Sequence, residues 1–316
     1  RIMQKAVILE TIDNIGIIKV TNPPVNALSF AVRSQLLISL DNLLNDSNID
    51  GIILIGEGRT FVAGADISEF GKPMKQPDLN SVISKYEKSH KPIVAALHGT
   101  PLGGGLELAM GCNYRIALDS TKLGLPEVKL GIIPGAGGNI RLPRLVGPVK
   151  AIEMIISGTP IIAKDALNNN LIDQLVTTNL LESAIKFITS KIAETHPIAS
   201  ERKDKINNFD PKIFEKTKIK ITKKMRGRKS PLFALKAIEY ATSLPFKDAL
   251  IKERELFKEC HDSEESSSLI HMFFSEREAT KIPDIPKEIK TRNIKTAAVI
   301  GCGTMGGGIA MNFANI

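Results

Sequence analysis

Apolar and polar positions along this chain follow two rhythms. Ala6–Leu9 and Ile17–Val20 are short, mostly β-branched apolar runs with Asp13-Asn14 between them, the signature of a hairpin. Residues 31–46 change to helical spacing, with apolar groups at Val32, Leu36, Leu37, Leu40, Leu43 and Leu44. Gly51–Ile55 and Pro92–Leu97 are continuous apolar runs of strand length, each followed by a glycine-bearing loop and a helical pattern. Strand, loop and helix in succession predict an α/β architecture with ligands at the strand ends. Glycine is dense from Gly99 to Gly147, where the backbone turns sharply or approaches a ligand. From about 150 to 290 the pattern is mostly helical. Pro283 and Pro286 mark a polar linker, and Thr296–Ile300 is predicted as one more apolar strand. No internal repeat is evident.

Composition narrows the class. A chain of 316 residues suggests about two domains, and 43% hydrophobic with 24% charged residues suits an ordinary globular core. The absence of Trp and the presence of only three Tyr argue against an aromatic-rich surface for RNA or sugar. Cys112, Cys260 and Cys302 are widely spaced, and neither they nor the five His residues show metal-ligand spacing. A reducing compartment and no metal site are expected. The chain begins Arg-Ile-Met with no secretory signal pattern, and a fragment of a longer protein is expected. Apolar stretches are broken by His98, Glu107 or prolines well short of the roughly 20 residues that a membrane span needs. Net charge is +8, and residues 202–229 alone hold twelve Lys and Arg. That segment is either a solvated helical face or an attractor of anions. No nucleic-acid motif accompanies it, so nucleic acid is not an expected partner.

Three pieces carry candidate chemistry. In His98-Gly-Thr-Pro-Leu-Gly-Gly-Gly-Leu-Glu-Leu-Ala-Met110, three glycines precede an apolar helical run. They free the N–H groups of a helix start for a negative oxygen. Glu107 lies in the first turn, either as a working carboxylate or as an acid stabilised by the helix dipole. Phe61-Val-Ala-Gly-Ala-Asp-Ile67 follows a strand, with Asp66 open to a reading as a plain helix cap. In Leu125-Pro-Glu-Val-Lys-Leu-Gly-Ile-Ile-Pro-Gly-Ala-Gly-Gly138, Glu127 has apolar neighbours, a setting that raises a carboxyl pKa for proton transfer. A solvated loop glutamate is the alternative.

Together, Phe61–Ile67, Gly103–Glu107, Pro126-Glu127, Gly131–Gly138 and Arg141-Leu-Pro-Arg-Leu-Val-Gly147 closely resemble the crotonase (enoyl-CoA hydratase/isomerase) superfamily, across roughly residues 6–190. The resemblance implies the spiral, ClpP-like crotonase fold. It implies an oxyanion hole for a thioester carbonyl formed by the N–H groups of Ala65 and Gly104. It implies a catalytic pair, Glu107 and Glu127, that hydrates a trans-2-enoyl-CoA to a 3-hydroxyacyl-CoA through one water. Glu107 is the expected base and Glu127 the expected acid, with the Gly135 N–H positioning the water. Asn26, Ala27, Leu28, Ala63, Asp66 and Ile67 match substrate-binding positions. A Δ3,Δ2-enoyl-CoA isomerase activity could share the site. The chain departs from the family at Asn139-Ile140, where Thr-Gln is frequent, and at Ser68, where some hydratases have Lys.

A second motif stands at the other end. Gly301-x-Gly303-x-x-Gly306, with Thr304 and Met305 between the last two glycines, follows the apolar run 296–300 and precedes a helical run. It resembles the start of the NAD-binding domain of 3-hydroxyacyl-CoA dehydrogenases. Hydratase, helical linker and this motif in series resemble the bifunctional enzymes of fatty acid β-oxidation. Ser230-Pro231 to Pro283, including Glu255-Leu-Phe257 and Phe274–Lys281, is similar to their linker. Only sixteen residues run from Gly301 to Ile316, short of the acidic ribose-binding residue expected about 20 residues on.

The resulting expectations are a crotonase domain at 1–190, a helical linker region at 191–290, and an incomplete start of a Rossmann-type NAD domain at 291–316. Hydration needs no cofactor, whereas a full-length dehydrogenase would use NAD. Oxidation of the hydroxyacyl product is not expected of this chain. The expected partner is an acyl-CoA, the expected assembly a monomer or small complex, and the expected location bacterial cytoplasm or peroxisome. Another crotonase reaction, or a non-catalytic RNA-binding scaffold using residues 202–229, are the alternatives. Retention of both glutamates speaks against the scaffold.

Overall fold

The computed structural model describes residues 5–315 apart from 226, 284, 286–288 and 291. Pro286, Arg226 and the first four residues thus lie outside the described residues. Two compact units divide between Phe273 and Phe274.

In the first unit, β1 (Val7–Ile12) and β2 (Ile15–Val20) form the hairpin expected around Asp13-Asn14. The sheet continues in parallel through β3 (Gly51–Gly56), β4 (Ile93–Leu97), β5 (Tyr114–Leu118) and, further along the chain, β8 (Gln174–Val176). A separate pair is made by β6 (Lys122–Leu123) and β7 (Ile161–Ile162). Strands β3 and β4 read as unbroken apolar runs because both faces of the sheet are covered. Ile52, Leu54, Ile93, Ala95 and Leu97 point into the main core, whereas Ile53, Ile55, Val94 and Ala96 point to the other side.

Helix α1 (Phe30–Asn45) buries Val32, Leu36, Leu40 and Leu43 in the main core, one stripe of a 3.6-residue repeat. Ser29 caps it by accepting from the Val32 N–H at 3.4 Å. α2 (Leu79–Glu87) and α3 (Gly104–Met110) join that side. α7 (Leu180–Lys191) covers the opposite face through Ala184 and Ile188. Each such aliphatic side chain taken fully from water contributes about 1.5–3 kcal/mol.

Around this frame run α4 (Gly138–Val146), α5 (Pro148–Ser157), α6 (Ala163–Asn168) and α8 (Lys212–Lys224). α9 (Ser230–Ser243), α10 (Phe246–His261) and α11 (Glu264–Ala279) follow. α9 and α10 seat Ala241 and Ala249 on Ile140 of α4. α8 buries Phe214 and Ile221 and turns its lysines to solvent, which favours the solvated-face reading of the basic segment. No helix among the described residues is long and apolar enough to cross a membrane.

The second unit contains α12 (Thr304–Ala314), which buries none of its residues. The strand expected at Thr296–Ile300 does not form. A lone strand leaves its N–H and C=O groups without a ladder, and no second strand exists among the described residues of this unit.

Candidate active site

The loops that leave β3, β4 and β5 at their C-terminal ends are tied to one another. Phe61 donates its N–H to the His98 carbonyl at 3.0 Å, and Gly103 donates to the Gly124 carbonyl at 2.9 Å. This layering brings three stretches distant in sequence to the edge where a parallel sheet binds its ligands.

Gly103 begins α3 with φ +52, a left-handed conformation that glycine adopts without strain. A Cβ there would also come within 3.0 Å of Glu127 Oε1. The helix start therefore lies directly against the second glutamate. Glu107, in the first turn, is 2% exposed. Its Oε1 accepts two N–H groups, from Ala136 and Gly138, each at 2.8 Å. A Cβ on Gly138 would stand 2.7 Å from that oxygen, so the close approach requires glycine. Burial raises the Glu107 carboxyl above its usual 4.5, and the two N–H donors and Arg141 pull it back.

Glu127 opens a 3-10 turn, Glu127–Leu130, between Pro126 and Gly131. Its Oε2 is shut off from solvent and has no hydrogen-bond partner. Burial, then the charge of Glu107, push this carboxyl well above the usual range, and Glu253 adds to the push. Two adjacent carboxyls in a dry site do not both ionise. The two donors on Glu107 oppose the rise of its carboxyl, whereas Glu127 Oε2 has no such partner. The arrangement sets two carboxyls of unequal proton affinity in one site.

Ala65 and Gly104, the expected oxyanion donors, sit next to each other: a Cβ built on Gly104 would lie 3.4 Å from the Ala65 nitrogen. Gly104 is the first residue of α3, whose N–H has no partner inside the helix. The Ala65 loop is held by a parallel bridge to Leu28 and by the Leu28 N–H donated to the Gly64 carbonyl at 2.9 Å.

The remaining expected residues have mixed surroundings. Asn26 spends its whole amide on the backbone, with Nδ2 on the carbonyls of Glu57, Thr60 and Phe61 and Oδ1 on the Asn22 N–H. It shapes the loop beneath the site. The Ala27 carbonyl accepts from Asn22, Leu28 packs beside Gly104, and the Ala63 N–H donates to Val25. Asp66 caps the turn Ile67–Glu69 by accepting from the Ser68 N–H at 3.0 Å, the plainer of its two readings. The Gly135 carbonyl accepts from Asn80 Nδ2 at 2.9 Å. In the second unit, Gly301 has φ +105, and Gly303 precedes Thr304, Met305 and Gly306 at the start of α12.

Sequence reasoning missed Glu253, a third buried carboxyl close to the pair and 1% exposed. Its signal was present. Ala249, Glu253, Leu256 and Cys260 form one apolar stripe of α10, with the glutamate inside it.

Fold and site together define an acyl-thioester enzyme of the crotonase class. Residues 10–228 match the family described as enoyl-CoA hydratase/isomerase. A peroxisomal bifunctional enzyme of Danio rerio is 39% identical over 311 residues, covering 96% of this chain and 43% of that protein. The peroxisomal fatty acid beta-oxidation multifunctional protein MFP2 of Arabidopsis thaliana is 36% identical, covering 94% of this chain and 43% of that protein. Among solved structures, an enoyl-CoA hydratase from Bacillus anthracis is 27% identical with a TM-score of 0.55, covering 86% of this chain and 96% of that one. This chain belongs to the enoyl-CoA hydratase/isomerase family. It spans less than half the length of the curated relatives named above.

Proposed function

We propose that this chain hydrates trans-2-enoyl-CoA thioesters to 3-hydroxyacyl-CoA, as the hydratase part of a multifunctional β-oxidation enzyme. The observation that carries the reading is the asymmetry of two buried carboxyls. Glu107 is held by two N–H donors, whereas Glu127 has an unpartnered oxygen and a strongly raised pKa.

In this reading the thioester oxygen rests on the Ala65 and Gly104 N–H groups, which take up the charge of the enolate. Glu107 removes a proton from water as its oxygen bonds to C3, with the Gly135 N–H orienting that water. Glu127 delivers its proton to C2. The product has gained one water, and Glu107 passes its proton back to Glu127 through solvent before the next cycle. An isomerase activity would use the same site with Glu127 as the proton shuttle, entering the cycle as its carboxylate, and its unpartnered Oε2 leaves it open to that role.

Hydration uses no cofactor. NAD belongs in our proposal to the whole protein. Gly301, Gly303, Thr304, Met305 and Gly306 form a turn and helix start of the kind a pyrophosphate meets, and no hydration step passes through them. The relatives' names support a peroxisomal location over bacterial cytoplasm. A monomer or small complex is the assembly in our proposal.

The test follows loss of enoyl absorbance with crotonyl-CoA and longer enoyl-CoAs. The parent chain turns over, and Glu107→Gln lowers kcat about 10²–10⁴-fold. No hydration by the parent at any acyl length would sink the proposal.

A further inference from the structure

Four consecutive N–H groups, from Ala136 to Asn139, leave their loop in two directions. Ala136 and Gly138 donate to Glu107 Oε1. Gly137 donates to Glu253 Oε2 at 2.7 Å. Asn139 donates to Glu253 Oε1 twice, at 3.0 Å from its main chain and 2.8 Å from its side chain. The Asn139 side chain also closes the loop on itself through the Pro134 carbonyl at 2.8 Å. Even-numbered N–H groups thus meet one buried carboxyl, and odd-numbered ones meet another.

From this alternation we infer that Glu253 is a positioning residue for hydration: it grips Gly137 and Asn139 so that Ala136 and Gly138 stay on Glu107. The inference rests on the reading above that Glu107 acts on the substrate. It extends the working site to α10, outside the residues 10–228 that match the family.

Packing alone does not explain a carboxyl at this place. α10 is already seated on α4 and α9 through Phe246, Ala249 and Leu250. An aliphatic side chain at 253 would extend that contact without the cost of taking an acid out of water. Its chain neighbours Lys252 and Glu255 pair with each other in solvent, so the acid at 253 is not one more member of a surface charge run. The partners of both Glu253 oxygens are donors. A carboxyl, ionised or protonated, accepts at both oxygens, whereas glutamine keeps the size of the side chain but must turn a non-accepting NH₂ toward at least one N–H.

The same geometry explains the departure at Asn139. A side-chain amide there bridges the Pro134 carbonyl and Glu253, and the loop depends on both contacts. Phe257, one turn further along α10, lies against Gly135, so the helix touches the loop at each end.

The experiment compares the full chain with Glu253→Gln, Glu253→Asp and the solvent-facing control Lys252→Ala. It reads two quantities, backbone hydrogen exchange of residues 135–139 and the separate values of kcat and KM for crotonyl-CoA. Glu253→Gln is expected to speed exchange across the loop at least about tenfold and to lower kcat about 10–100-fold, the scale of a small misplacement, with KM changing far less. Glu253→Asp retains the acid on a shorter reach and exchanges at rates between parent and glutamine variant. Lys252→Ala behaves as the parent. Parent-like exchange and kcat in Glu253→Gln would overturn the inference. So would a loss that appears equally in all core amides. If Glu253→Gln does not fold, parent-like loop exchange in Glu253→Asp overturns it. Absence of hydration in the parent would end the functional reading, while loop exchange would still decide whether Glu253 holds the loop.

Discussion

Two glycine-rich helix starts lie in this chain, and they have different fates. Gly103–Gly105 opens α3 against Glu127, under the Ala65 loop and within the main core. Gly301–Gly308 opens α12, where a Cβ on Gly303, Gly307 or Gly308 would meet nothing within 4 Å. Both segments free helix-start N–H groups. The first has partners delivered to it by other elements, namely the loops after β3 and β5 and the α4 loop with α10 behind it, whereas α12 buries none of its described residues. A glycine motif states where a backbone can bend or approach. Packing around it decides whether that approach becomes a site.

The comparison can be broken most strongly at the supports of the first region. Arg141 of α4 makes a two-point contact with Glu87, at 2.7 and 3.1 Å, both side chains being buried. Arg141→Met would remove both guanidinium contacts from the buried Glu87, leaving it the Ser200 N–H at 3.0 Å and the nearby Arg144, and should lower unfolding free energy about 3 kcal/mol in chemical denaturation. A smaller loss would mean that water reaches Glu87. Next, Gly138→Ala sets a methyl group against Glu107 Oε1. We expect a roughly tenfold or greater fall in kcat, because small misplacements near reacting groups are costly. An unchanged rate would show that Glu107 need not lie so close to the loop.

Hydrogen exchange sharpens the contrast without mutation. Amides of β3 and β4 should exchange only on global opening, whereas those of 304–314 should exchange with little protection. Equal protection would contradict the exposure of α12.

A weaker effect concerns pH. Burial, then the charge of Glu107, push the Glu253 carboxyl up to about 8 from the usual 4.5. Between those values the folded chain retains a proton that the unfolded chain has released. The stabilisation this confers is complete below 4.5 and is lost as pH rises through about 8. Thermal midpoints measured across that window should slope downward less steeply in Glu253→Gln than in the parent. The smallest expected effect is none: Gly303→Ala should leave both hydration rate and thermal midpoint at parent values.

Much of the first region was legible in the sequence because its signals are local. The 51–55 and 92–97 runs carry their own burial pattern, and the glycines before Glu107 are contiguous with it. The apolar frame of Glu127 also lies within a few residues. The stripe of α10 marked Glu253 as an inward acid, but its target was not legible, since it reaches Gly137 across 116 positions and stands in a run of alternating charge, Lys252-Glu-Arg-Glu255. The strand expected at 296–300 failed for a related reason: its apolar residues suit a strand, but pairing is supplied by a neighbour and not by the segment itself. Asn26 shows the same limit in a site residue, because its loop matched a binding position while its amide is consumed by three backbone carbonyls.

The central claim is that Glu107 and Glu127 act as one acid–base unit on one water. The most direct measurement is a double-mutant cycle on kcat for crotonyl-CoA hydration, with Glu107→Gln, Glu127→Gln and the double variant. The account predicts that each single change removes most of the acceleration, and that the double variant is about as slow as the slower single. A double variant slowed by the product of the two single effects would contradict it, as would near-parent hydration by either single variant.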